Sequence, residues 1–173
     1  TVASPNPAVG GAEVPLVSTY MLSTKPGKES YVHPVVEQGR YRFTVRTGTP
    51  PEPELAKNGT TVGKRAAFRC LLSGVAVSYD HIREEGKAGR MSSRLMAVVA
   101  EGQRGRIYLS PTAEQESIAQ HAKPTWRPET PIPPDKRSMF TPLYGLTHFH
   151  HLFTARQLVA LTTFSDLVQE ARQ

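Results

Sequence analysis

FRCLLSG, residues 68–74, has the outline of half a metal knuckle. A ribbon-type knuckle sets two thiolates on one ion across a tight turn, CxxCG, and the glycine makes the turn possible. Here Cys70 is followed by Ser73 and Gly74, so the turn is kept and one ligand is replaced. The opening SPNPAVGGAE, residues 4–13, repeats the outline with Ser4 and Val9 ahead of Gly10. Cysteine at all four positions would complete a two-knuckle ribbon. With Ser4, Val9, Cys70 and Ser73 in place, the expectation is a degenerate zinc-ribbon-like core that folds without metal, held by apolar packing around Val9, Leu71 and Leu72. A lone cysteine can neither close an internal disulfide nor build a Cys-rich metal site.

Outward from this turn the chain reads as strands. VPLVSTYML (14–22), YVHPVVE (31–37) and RYRFTVR (40–46) are rich in β-branched and aromatic residues, with a Gln38-Gly39 turn between the last two. In RYRFTVR the alternation is strict: Tyr41, Phe43 and Val45 share one face, and Arg40, Arg42, Thr44 and Arg46 the other. That pattern predicts a ladder of guanidinium groups over a buried apolar face. A polar loop, TGTPPEPELAKNGT, leads to a further strand over 60–69.

Ser78 is placed to cap a short helix that Gly86 would end. RLMAVVAEGQRGRIYLSP suits two strands around a glycine-bounded turn, although RLMAVVA alone would suit a helix as well. Thr112 with Gln115, and Thr154 with Gln157, make two capping boxes. The second precedes LVALTTFSDLVQEA, where Leu158, Leu161, Phe164, Leu167 and Val168 form an apolar stripe that should cover something. KPTWRPETPIPPDKR is an extended connector that Trp126 should anchor to the body.

The expected fold class is therefore α+β: a mainly antiparallel sheet of roughly five to seven strands around the degenerate ribbon, a Pro-rich extended arm and a C-terminal helix. The expected division is 1–123 for the ribbon-like β-rich module, 124–143 for the connector and 144–173 for the helical segment. The opening TVASPNP has no initiator methionine, and the end falls on a helix, which reads as a piece of a longer protein. No apolar run has membrane-span length and no secretory leader is visible, so a cytoplasmic location is expected.

At a net charge of +6 and a pI near 9.7, a polyanionic partner is the natural class to weigh. The positive charge lies mid-chain. Residues 40–69 carry Arg40, Arg42, Arg46, Lys57, Lys64, Arg65 and Arg69 against Glu52 and Glu54, and a second basic stretch contains Arg83, Lys87, Arg90, Arg94, Arg104 and Arg106. EGKAGR (85–90) admits a backbone-phosphate contact or a structural turn, and it lacks the full GxxxxGK(S/T) pattern of a phosphate loop. EGQRGR (101–106) is a basic hairpin tip, poised for a groove or merely solvated. HFHHLF (148–153) offers His148, His150 and His151, yet three ligands from so short a stretch seldom fit one ion. No nucleophile–base pair or carboxylate pair stands out, so no catalytic residue is expected.

Three long strings carry a family resemblance: GAEVPLVSTYMLSTKPGK (11–28), CLLSGVAVSYDHIREEGKAGRMSSRLMAVVAEGQRGRIYLSP (70–111) and YGLTHFHHLFTARQLVALTTFSDLVQEAR (144–172). With the two turns, they resemble the zinc-ribbon-bearing insert of a family of large adenine-specific DNA methylases, linked in some members to anti-phage defence. The departure is at the knuckles, where Ser4, Val9 and Ser73 are not cysteine. The resemblance implies an accessory DNA-binding, target-recognition-type insert of an S-adenosylmethionine-dependent adenine methyltransferase. The parent's glycine-bearing cofactor motif and its Pro-Pro motif for the flipped adenine are both missing from this chain. Expected partners are DNA, the catalytic methylase domain of the parent and defence-system proteins, with no cofactor in the segment itself. The residues expected on DNA are Arg40, Arg42, Arg46, Lys64, Arg65, Lys87, Arg90, Arg94, Arg104 and Arg106. The alternative is a protein-interaction module that docks the methylase domain or a defence-system partner.

Overall fold

The computed structural model describes residues 1–63, 67–103, 105–133, 135 and 140–172. The fold is α+β, and its strands are distributed over four small antiparallel sheets instead of the single larger sheet expected. β1 (Val2–Ala3) pairs with β2 (Glu13–Val14). β3 (Met21–Ser23), β4 (Ser30–Glu37) and β5 (Arg40–Thr47) form a three-stranded meander. β6 (Thr61–Val62), β7 (Ala67–Arg69) and β8 (Ala76–Ser78) form another. β9 (Val98–Gly102) and β10 (Gly105–Leu109) stand as a hairpin. Four α-helices are described: α1 (Pro53–Asn58), α2 (Tyr79–Lys87), α3 (Ala113–Gln120) and α4 (Ala155–Glu170).

The β4–β5 hairpin is the longest pairing and follows the sequence closely. Gln38 and Gly39 adopt φ of 49° and 71°, the doubly left-handed backbone of a two-residue hairpin turn. Register then sets Val36 opposite Tyr41, Pro34 opposite Phe43 and Val32 opposite Val45. Tyr41 and Phe43 are buried, with ring centroids 5.4 Å apart in an edge contact, and they share a core with Tyr20 and Val32. Burying each such ring stabilises the hairpin by about 1.5–3 kcal/mol. A second core gathers Val2, Val14, Cys70, Val77 and Ile82, and Leu72 packs against both.

The stretch 14–22 is not one strand. Val14 pairs with Val2 in the second core, whereas the Tyr20 N–H donates to Ala56 O at 2.8 Å and the Tyr20 ring enters the first. The segment between them crosses from one core to the other. Residues 60–69 likewise hold two strands, β6 and β7, with Gly63 at φ 59° on the turn between them.

Helix α2 begins as expected, with the Ser78 hydroxyl accepting from His81 N–H. It does not stop at Gly86. That residue lies within the helix, and the left-handed position falls to Gly89 at φ 68°. Gly86 is needed for proximity: a Cβ there would lie 2.3 Å from Tyr144 O, and one at Gly145 would lie 2.3 Å from Gly86 O. The two backbones touch where α2 meets the 3₁₀ turn Thr141–Tyr144.

The Pro-rich connector is docked, though not by the residue expected. Trp126 is 63% exposed, while Ile132 is buried and its N–H donates to Thr147 O at 2.8 Å. A bridge between Pro131 and His148 completes the attachment. Both helix capping boxes are present, at Thr112/Gln115 and Thr154/Gln157. Of the apolar stripe on α4 only Leu158 is buried.

Gly86→Ala should therefore lower unfolding stability by about 3 kcal/mol, because either backbone must retreat. Gly89→Ala, with open space around it, should cost only about 1 kcal/mol, the left-handed φ penalty. Urea titrations of the two variants beside the parent protein distinguish proximity from turn geometry.

Candidate nucleic-acid interface

The outer face of β5 carries Arg40, Arg42 and Arg46 as the alternation requires, and all three are exposed. Pairing on β4 sets Glu37 opposite Arg40, Val35 opposite Arg42 and Tyr31 opposite Arg46. Arg42 Nη2 lies 3.5 Å from Glu37 Oε1, an exposed pair of little strength. Arg40 and Arg46 have no ion pair among the described residues.

The β9–β10 hairpin lies against this strand. Val45 N–H on β5 donates to Ser110 Oγ at 2.8 Å. Between the β3–β4 turn, the end of β5 and β10 runs an open groove of about 600 Å³, lined by Lys28, Ser30, Thr47, Arg106 and Tyr108 among others. Arg106 is exposed at its wall. The arginine ladder of β5 and Arg106 of β10 thus belong to two packed elements. Lys64, Arg65 and Arg104 lie outside the described residues.

Three other residues expected on DNA are placed differently. Arg94 is held inside the molecule: its Nε donates to Glu116 Oε1 at 2.6 Å, its Nη1 donates to Glu13 Oε2 at 3.2 Å, and its guanidinium stacks 5.4 Å from the Tyr41 ring centroid. Burial disfavours the guanidinium's charge, but Glu116 and then Glu13 more than compensate and hold the proton more firmly than usual. With Nε and Nη1 committed to carboxylates, Arg94 serves internal contacts before any phosphate. Arg90 reaches back to Glu85, with Nη2 2.6 Å from Oε1, although it is itself exposed. Lys87 is exposed at the C-terminal end of α2. That end carries the negative pole of the helix, so EGKAGR closes a helix and offers no inviting seat for an anion.

The two glycine turns do converge. The Ser4 and Ser73 hydroxyls and the backbone N–H groups of Leu72 and Ser73 lie around the Cys70 sulfur. Burial pushes the thiol's pKa up, and these polar neighbours outweigh burial and leave it below the ordinary thiol value. Cys70 is 1% exposed and belongs to the second core. Val9 is half-buried and is not among the residues packed in either core, so the expected apolar plug consists of Leu71 and Leu72 alone. Among the described residues no group of three or more His, Cys, Asp or Glu side chains is arranged to hold a metal ion.

His148, His150 and His151 cluster by their rings, with centroids 4.3 Å apart for the last two. Their nitrogens are engaged locally, His148 Nδ1 with the Thr147 hydroxyl at 3.1 Å and the other two with backbone groups. His150 Nδ1 lies 2.8 Å from Pro128 O, and His151 Nδ1 accepts from Thr147 N–H at 3.1 Å. The cluster fastens the connector to α4's approach. Sequence reasoning did not foresee Glu13 and Glu116 as the partners of Arg94, since neither is near it in the chain.

Together these observations define an α+β protein of small antiparallel sheets carrying an exposed arginine face. No family model, curated protein or solved structure matches the chain. No described helix is long and apolar enough to cross a membrane.

Arg94→Ala should lower stability by about 2 kcal/mol by stranding two partly buried carboxylates, read from thermal or urea unfolding. His151 should titrate below 6.5, because burial and the neighbouring His150, His148 and Arg127 charges disfavour its protonation more than Glu129 favours it. The folded state then binds this proton less readily than the unfolded chain, so the contribution is present above about pH 6.5 and fades as pH falls through the folded pKa. An NMR titration of the ring proton with an inflection at or above 6.5 would contradict this.

Proposed function

We propose that the chain is the DNA-binding, target-recognition-type insert of an S-adenosylmethionine-dependent adenine-specific DNA methyltransferase, without catalytic groups of its own. The observation that carries the reading is the exposed arginine ladder Arg40, Arg42, Arg46, rigidly spaced on β5 and extended by Arg106 on the adjoining hairpin. Guanidinium groups at strand spacing match a phosphate backbone, and their role is to set affinity and register more than sequence choice. The parent enzyme would supply the cofactor site and the adenine pocket, and its catalytic domain is the expected partner within the same chain. Defence-system proteins are further partners on the resemblance alone.

The convergence of Ser4 and Ser73 on Cys70 supports a degenerate ribbon, in which hydroxyl and N–H groups around one sulfur stand where a metal and its other ligands would be. On this reading purified protein carries far less than stoichiometric zinc by atomic emission, and added zinc leaves its melting temperature unchanged.

Duplex DNA titrated at two salt concentrations tests the main reading. Binding should weaken steeply with salt, and replacing Arg40, Arg42 and Arg46 by alanine should flatten the log–log slope by about 0.9 for each phosphate that is no longer neutralised. Arg94→Ala should leave the slope unaltered once folding is accounted for. Absence of binding at low salt would reject the DNA reading and favour a protein-docking module. The specific observation behind that second reading is the exposed apolar stripe on α4.

A further inference from the structure

Helix α4 turns its apolar stripe away from the body. Ala155, Leu158, Val159 and Thr162 are buried or half-buried, on the side where Leu158 lines a hollow together with Gly86, Met91 and Tyr144. On the opposite side Leu161 is 53% exposed, Phe164 70%, Leu167 52% and Val168 57%. From Thr163 to Arg172 every residue is exposed, so the last turns of the helix project from the molecule. Two unsupported turns gain little from helix propensity, and their stability in water comes from packing of an apolar face. A run of this kind with four large apolar side chains in the open is a docking element.

The charges on its flank indicate the occupant. Arg156, Thr163 and Glu170 are spaced by seven residues, so they lie along one edge of the stripe. Neither Arg156 nor Glu170 has an ion-pair partner among the described residues. Two copies of α4 laid antiparallel with the two-fold axis at Thr163 bring Arg156 of each copy to Glu170 of the other. The apolar stripes then face each other, and the helix dipoles oppose. A parallel pairing in register would set Arg156 against Arg156 and Glu170 against Glu170.

We infer that α4 is a homotypic docking element through which two copies of this chain pair antiparallel, with Phe164, Leu161, Leu167 and Val168 as the dry centre and two Arg156–Glu170 pairs at the ends. This inference is independent of the DNA reading, since none of these residues belongs to the arginine face.

Sedimentation equilibrium of the full chain tests it. The expected result is a concentration-dependent dimer that Phe164→Ser weakens by at least about tenfold, as removal of a central aromatic anchor does. Arg156→Glu and Glu170→Arg should each weaken the dimer, and the double variant should restore it, because the swapped pair regenerates both ion pairs. These positions are exposed and outside both cores, so the unfolding transition of the body should be retained in every variant, and any loss of far-UV helical signal should be confined to the last turns of α4. A chain that stays monomeric at about 100 μM, a dimer indifferent to Phe164→Ser, or charge reversals that fail to rescue one another would overturn the antiparallel pairing.

Discussion

One guanidinium joins three distant parts of the chain. Arg94 draws Glu13 on β2 and Glu116 on α3 to the same point and covers the Tyr41 ring of β5. Two of the four sheets are two-stranded and the other two have three strands, and a two-stranded hairpin is marginal by itself in water. What makes one body of them is contact between pieces: Leu72 between the two cores, the glycine pair between α2 and the Thr141 turn, and the Arg94 clamp. A paired and partly buried charge is weak evidence of net stability by comparison with apolar residues. Its geometry is nonetheless demanding, and it fixes which surfaces meet.

Local features of the fold were legible. Strict alternation in RYRFTVR and the Gln-Gly turn placed the central hairpin, and the Ser/Thr and Gln caps placed three helix starts, because each signal depends on neighbours within a few residues. The division into four sheets was not legible. It depends on pairings such as Val2 with Val14, too short to show a period, and on the crossing between cores that splits residues 14–22. Trp126 misled for a related reason: its size suggested an anchor, while the smaller Ile132 beside a paired backbone does that work.

The candidate surface was legible in the same partial way. A sequence displays charges but not what neutralises them. Arg40, Arg42 and Arg46 alternate with buried residues and so had to emerge on one face. Arg94 carried the same charge in a basic stretch, yet its partner Glu13 lies 81 residues away and its role is internal. Lys87 closes a helix at its negative pole, and Arg90 just beyond it is paired with Glu85, so neither needs an anion to account for it. The apolar side of α4 was correctly recognised as a stripe, and its direction relative to the body needed coordinates.

The hydrogen bond from Val45 to Ser110 has a consequence for colloidal behaviour. β5 is the outer strand of its meander, eight residues long, and its far edge would otherwise present free amide groups to any extended chain that came near. A single hydroxyl occupies one of those groups and parks a second hairpin alongside. Where the hairpin sits, that edge is not free to add a foreign strand, and like-charge repulsion among the arginines on the adjoining face opposes such pairing as well.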